Sequence, residues 1–147
     1  MKFSNRCGTR LVAAAILLTS TTFAYAQTID VYKNPACGCC GKWVDHLRSN
    51  GFTPLVHELN DVDPIKKKFG VPKELVSCHT AYVGGYVIEG HVPADLIRKL
   101  LKEHPKARGL AVPSMPPGAP GMEGSQKIDY AVLLIKEDGS TATYAKR

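Results

Sequence analysis

The sequence lacks an apolar stretch long enough to be a permanent membrane span. Its longest, Leu11 to Thr22, falls well short of the roughly 20 residues a spanning helix needs. It also lacks long blocks of like charge. The longest such run, Lys66-Lys67-Lys68, reads as a solvated helix face. Aromatic residues make up only 7% of the chain and do not interleave with basic ones, so the net charge of +6 speaks for solubility and against nucleic-acid binding. No internal repeat is present, which excludes solenoids and arrays.

The N-terminus explains part of the positive charge. Met1 to Arg10 carries Lys2, Arg6 and Arg10 without an acidic residue, the short apolar run follows, and Ala24-Tyr25-Ala26 supplies a small-x-small cleavage pattern. The expectation is a signal peptide over residues 1–26, cleaved after Ala26, with export to the periplasm and no membrane span after processing. Cys7 leaves with the leader. The mature chain, Gln27 to Arg147, has 121 residues and a net charge of +3. That is enough for one real core but not for two domains.

Four cysteines remain, three of them packed into Cys37-Gly38-Cys39-Cys40, with Cys78 alone downstream. In an exported protein an even count ordinarily means structural disulfides. That default is awkward here. Adjacent Cys39 and Cys40 bridge poorly, and a Cys37–Cys40 bridge closes too short a loop to staple much. The cluster reads instead as a soft-metal site, a thiol redox centre, or both.

Periodicity places these residues. Thr28 to Tyr32 reads as a strand, Cys40 to Asn50 as a helix with Trp43, Val44 and Leu47 at helical spacing, and Thr53 to Leu59 as a second strand. Pro64 to Phe69 reads as a short helix behind Asp61 to Asp63. Thr80 to Val83 and Tyr86 to Ile88 form a hairpin around Gly84-Gly85, and Pro93 opens a helix that His104-Pro105 ends. Lys106 to Gln126 is rich in Pro and Gly and shows no periodicity. Ile128 to Lys136 and Ser140 to Lys146 read as a last strand pair. The order predicts an α/β fold: a thioredoxin-like domain over residues 27–105, and a C-terminal loop and β-hairpin extension over 106–147 packed on it.

In that layout the C-x-x-C from Cys37 to Cys40 lies between the first strand and first helix. Unpaired helical N–H groups and the helix dipole there favour thiolate. That suits Cys37 and Cys40 as a catalytic disulfide-exchange pair and as metal ligands equally well. Three features lean toward metal. Cys39 adds a third sulfur inside the motif. Cys78-His79 stands where thioredoxin-like folds commonly carry a guarding proline. Met115 and Met122 lie on a loop that gives them no core to fill. Thiolates with thioethers favour Cu(I), with zinc the runner-up in a closed four-cysteine site. His79 and His91 are expected near the cysteine end as ligands or as supports for them. His46 and His104 are expected on the surface, and His57 at the core edge.

Three blocks, NPACGCCGKWVDHLRSNGF, ELVSCHTAYVGGYVIEGHVPADLIRKLL and KARGLAVPSMPPGAPGMEGS, resemble the periplasmic CopG-type copper-resistance proteins of Gram-negative bacteria, which carry a C-x-C-C motif. The resemblance runs from about Ile29 to Arg147. It implies a thioredoxin-like domain with a C-terminal extension and a multinuclear copper–thiolate cluster bridged by Cys37, Cys39, Cys40 and Cys78. The extension would bear Met115 and Met122. It further implies a copper oxidoreductase role interconverting Cu(I) and Cu(II), with copper ions, and periplasmic copper efflux components, as partners. A copper-free thiol–disulfide oxidoreductase and a passive copper store or chaperone are the alternatives.

Overall fold

A computed structural model describes residues 27–147; the expected leader, with Cys7 and the Ala26 cleavage site, lies outside the described residues. The elements run β1 (Gln27–Lys33), α1 (Gly38–Ser49), β2 (Phe52–Glu58), α2 (Asp63–Lys68), a 3-10 turn (Lys73–Leu75), β3 (His79–Val83), β4 (Tyr86–Glu89), α3 (Ala94–Glu103), β5 (Gly109–Ala111), β6 (Ala131–Ile135) and β7 (Thr141–Lys146). They build one seven-stranded sheet in the order β2-β1-β3-β4-β5-β6-β7. β1 and β2 are parallel, as a strand–helix–strand crossover demands. β3 runs antiparallel between β1 and β4. The fold is mixed α/β of the expected thioredoxin-like class, with β5 to β7 continuing the same sheet. No helix among the described residues is long and apolar enough to cross a membrane.

The pleat divides the core in two. Ile88 joins Ile29, Val31, Trp43, Leu47, Ile97, Leu100 and Leu110 in the cluster under α1 and α3. Its neighbour Val87 joins Val71, Leu75, Ala111 and Ile135 in a second cluster. Adjacent strand residues point to opposite faces, so the two clusters lie on the two sides of the sheet.

Two expectations are corrected. The segment from Lys106 onward is not structureless: Gly109–Ala111 pairs parallel with β4 and antiparallel with β6, bridging the first four strands to the last hairpin. Glycine is needed there, because a β-carbon at Gly109 would meet the Val87 carbonyl oxygen at 1.7 Å. Lys66 is not on a solvated face either. It is 5% exposed, and its Nζ donates to Glu89 Oε1 at 2.7 Å and Thr80 Oγ1 at 2.8 Å. In addition, α1 begins at Gly38, two residues before the expected start, so the whole cysteine motif belongs to the helix and its cap.

Candidate metal centre

The cysteine loop is shaped by Asn34. Its Oδ1 accepts the Ala36 N–H at 2.9 Å, its carbonyl accepts the Cys37 N–H at 3.0 Å, and its Nδ2 donates to the Asn60 carbonyl at 3.0 Å. This turn sets Cys37 in an extended conformation as the cap of α1. No acidic residue occupies the first turn of α1, so the helix dipole is left to favour anionic sulfur. The strand register supplies the other half of the site. Lys33 pairs with His79, and Thr80 with Glu89. The loop before β3 is thereby laid against the end of β1, and the loop after β4 beside it.

Four sulfurs converge. One Sγ from each of Cys37, Cys39, Cys40 and Cys78 lies within 4.8 Å of the others. Cys37 and Cys40 are joined by a disulfide, whereas Cys39 and Cys78 are free. Cys39 Sγ is 3.5 Å from Cys37 Sγ and 3.8 Å from Cys78 Sγ. Cys40 is fully buried and Cys37 half-buried.

Two imidazoles complete the cluster. Cys78 Sγ is 3.1 Å from His91 Nε2 and 3.4 Å from His79 Nδ1, and these three residues form a second group with ligand-like spacing. His91 Nδ1 lies 2.8 Å from the Pro120 carbonyl oxygen, which can only accept. Nδ1 therefore carries the proton, and the bare Nε2 faces Cys78. Metal-binding histidines are typically oriented this way, by a backbone carbonyl on the far nitrogen. Burial first, then His91 and Lys66, hold His79 well below the usual histidine range; burial lowers His91 too. Both rings are thus neutral, the form that can ligate. Burial and the neighbouring Cys39 push the Cys78 thiol up to about 11. It stays protonated until a cation displaces the proton.

His79 carries a ring nitrogen without a hydrogen-bond partner. The ring is fully buried against Trp43, with centroids 4.3 Å apart, and the unpartnered atom is Nε2. An orphaned buried polar atom costs about 1–3 kcal/mol, and here it belongs to a residue whose other nitrogen faces a thiol. The donor set fits a soft or borderline metal. Sulfurs sharing one tetrahedral zinc would stand about 3.8 Å apart, so spacing suits zinc as well as copper. Imidazole beside thiolate is a donor set for zinc and for copper alike, so the residues present admit both.

The Pro/Gly-rich loop crosses this end of the sheet. Ser77 Oγ donates to the Ser114 carbonyl at 2.6 Å, and Pro120 meets His91. Gly121, at φ +85, approaches so closely that a β-carbon would lie 2.8 Å from the Cys39 carbonyl oxygen and 2.9 Å from Trp43 N. Met115 follows the anchored Ser114 and is 48% exposed; Met122 follows Gly121 and is half-buried. The remaining histidines are elsewhere. His57 is exposed, stacked on Tyr32 and 2.8 Å from Asp30. His104 caps α3 in the left-handed region. His46 is half-buried, not on the open surface, and its Nε2 accepts the Ala94 N–H at 3.1 Å.

Sequence reasoning missed the network behind the site. Glu89, fully buried, accepts from Lys66 Nζ and the Ser77 N–H on Oε1, each at 2.7 Å, and from Thr80 Oγ1 on Oε2 at 2.7 Å. Ser77 immediately precedes Cys78, so the carboxylate positions the loop that carries the lone cysteine. The Thr80–Glu89 strand pairing was a usable signal for it.

Fold and site together define a thioredoxin-like α/β protein with a thiol–imidazole cluster at the helix-bearing end of its first strand. Residues 75–122 match the family described as protein of unknown function, DUF411. No curated protein matches the chain. Two solved structures are similar to it: copper resistance protein CopG in its form 2 and in its form 1. Each is 41% identical and covers 83% of this chain and 98% of its own, with TM-scores of 0.79 and 0.78 respectively. The chain belongs to the CopG copper-resistance protein family.

Proposed function

We propose that the chain is a periplasmic copper-binding protein in copper resistance, whose Cys37, Cys39, Cys40 and Cys78, once all reduced, hold copper as a small cysteine-bridged cluster. The observation that carries this reading is the convergence of four sulfurs within 4.8 Å, with His91 Nε2 and His79 Nδ1 facing the sulfur of Cys78. Soft sulfur with neutral nitrogen is the donor chemistry of copper in both oxidation states. Four thiolates neutralise about as many Cu(I) ions, so a small cluster is buried without net charge.

The same site supports an oxidoreductase that interconverts Cu(I) and Cu(II). Copper ions are the substrate, Cys37 and Cys40 the redox-active pair, and His79, His91, Met115 and Met122 further donors or supports. Periplasmic copper efflux components are the protein partners this role would require, and export with cleavage after Ala26 is its cellular counterpart. The Cys37–Cys40 disulfide favours one rival, a copper-free thiol–disulfide oxidoreductase.

Serine substitutions separate the two. In a disulfide oxidoreductase only Cys37 and Cys40 exchange, so Cys39→Ser is mild. In a copper–thiolate cluster, Cys39→Ser and Cys78→Ser lower anaerobic Cu(I) stoichiometry as severely as Cys37→Ser. Full copper in both of those variants, with loss in Cys37→Ser alone, rejects the cluster.

A further inference from the structure

We infer that the Cys37–Cys40 pair is the electron store of this site: as a dithiol it reduces two Cu(II) ions to Cu(I), closing the disulfide, while Cys39, Cys78 and His91 retain the product. This rests on the copper reading and adds to it a direction, a substrate oxidation state and a source of electrons.

The four sulfurs are of two kinds. Cys37 and Cys40 are bonded to one another, and Cys39 and Cys78 are free. Closing the bond does not empty the site of donors. Cys39 and Cys78 remain 3.8 Å apart, with His91 Nε2 at 3.1 Å from Cys78 and His79 Nδ1 at 3.4 Å. Two sulfurs and two neutral nitrogens are therefore available in the disulfide state, and four sulfurs in the dithiol state. The nitrogens suit arriving Cu(II), and the free thiols suit Cu(I). The two sets touch, because Cys39 Sγ is 3.5 Å from Cys37 Sγ.

The electrons balance. Each of the two thiols gives up one electron and one proton, the sulfurs join, and each of two Cu(II) ions becomes Cu(I); the protons pass to water. Resetting the pair needs a thiol donor from outside. The accessibility of the two sulfurs selects where it attacks: Cys37 is half-buried, whereas Cys40 is fully buried. The donor thiolate attacks Cys37 Sγ, Cys40 leaves as thiolate, and a second donor thiol releases Cys37 with the donor disulfide as product. The net reaction consumes two Cu(II) and two donor thiols and yields two Cu(I), one donor disulfide and two protons.

The test uses purified protein, fully reduced, freed of reductant and kept without oxygen, to which Cu(II) sulfate is added. The Cu(II) paramagnetic signal disappears for two equivalents per disulfide formed, and a Cu(I)-specific chelator recovers the same amount after denaturation. Alkylation and tryptic mass spectrometry place the new bond within the peptide Asn34–Lys42, fragmenting as Cys37–Cys40. Cys39 and Cys78 become alkylatable only after copper is removed. In Cys37→Ser and in Cys40→Ser the Cu(II) signal, measured per copper bound because both variants also hold less copper, persists at least tenfold longer. A lasting Cu(II) signal in the wild type overturns the proposal. So does a bond that links Asn34–Lys42 to the peptide bearing Cys78. Failure of the copper reading itself shows differently, as no uptake of Cu(I) by the reduced wild type.

Discussion

Replacing Glu89 by alanine tests whether the buried network behind Cys78 is a true structural anchor. Glu89 is fully buried and Lys66 5% exposed. The two are 2.7 Å apart, and the same carboxylate takes the Ser77 N–H and the Thr80 hydroxyl. Burial pushes the Glu89 carboxyl above its usual range, against the opposing pull of Lys66, Thr80 and Ser77. Removing the carboxylate strands the lysine charge and leaves a backbone donor unpaired. Breaking one half of a buried pair costs about 3–5 kcal/mol. At roughly 3 °C per kcal/mol for a domain of this size, the metal-free protein would melt about 10–15 °C lower. Circular dichroism of the reduced, metal-free protein reads this directly. The companion Lys66→Met/Glu89→Leu is expected to melt above Glu89→Ala, because apolar replacement of both partners removes the stranded charge. Cu(I) affinity of Glu89→Ala falls as well, since Ser77 no longer holds Cys78 in place. A melting point within about 3 °C of wild type would mean that Lys66 escapes to water, and the positioning argument would fail.

Other consequences can be checked separately. His46 accepts the Ala94 N–H, and burial lowers its pKa from 6.5, against Glu123 and Asp95 and with Arg98. A histidine depressed in the fold contributes stability above its unfolded pKa and loses it as pH falls through the folded value. Denaturant melts from pH 7.5 down to 5 are expected to show a steeper loss in wild type than in His46→Gln; equal slopes would refute the clasp. Gly121→Ala puts a β-carbon against the Cys39 carbonyl and Trp43 N at a positive φ. It is expected to lift the loop and speed Cu(I) loss to a chelator while leaving the helical signal intact. Met115→Ala with Met122→Ala is expected to lower Cu(I) affinity and speed air oxidation. Unchanged values in that double variant would remove both thioethers from the donor set.

Much of the site could be read from residue order. The C-x-C-C between a β-branched strand and an amphipathic helix, with Cys78-His79 before a hairpin, already placed four sulfurs and an imidazole at one end of a sheet. The rest depended on partners distant in sequence. β5 is three residues long and has no pattern of its own; it is a strand because Gly109 can approach Val87 and because β6 pairs on its other side. Lys66 looked solvated within its run of lysines, since its partner Glu89 lies 23 positions on. The Pro120 carbonyl that fixes the His91 tautomer is 29 residues away, in a loop without periodicity. His46 meets α3 through Ala94, 48 residues on. Local patterns locate elements, and only the folded contacts show which polar groups each one serves.

The most direct test of copper binding by the four cysteines is elemental analysis of the protein isolated without oxygen from copper-exposed cells. A cysteine-bridged copper cluster requires more than one copper per chain, no zinc, and loss of that copper in Cys39→Ser and Cys78→Ser. A single zinc per chain, or metal-free protein with only the Cys37–Cys40 disulfide, would contradict it.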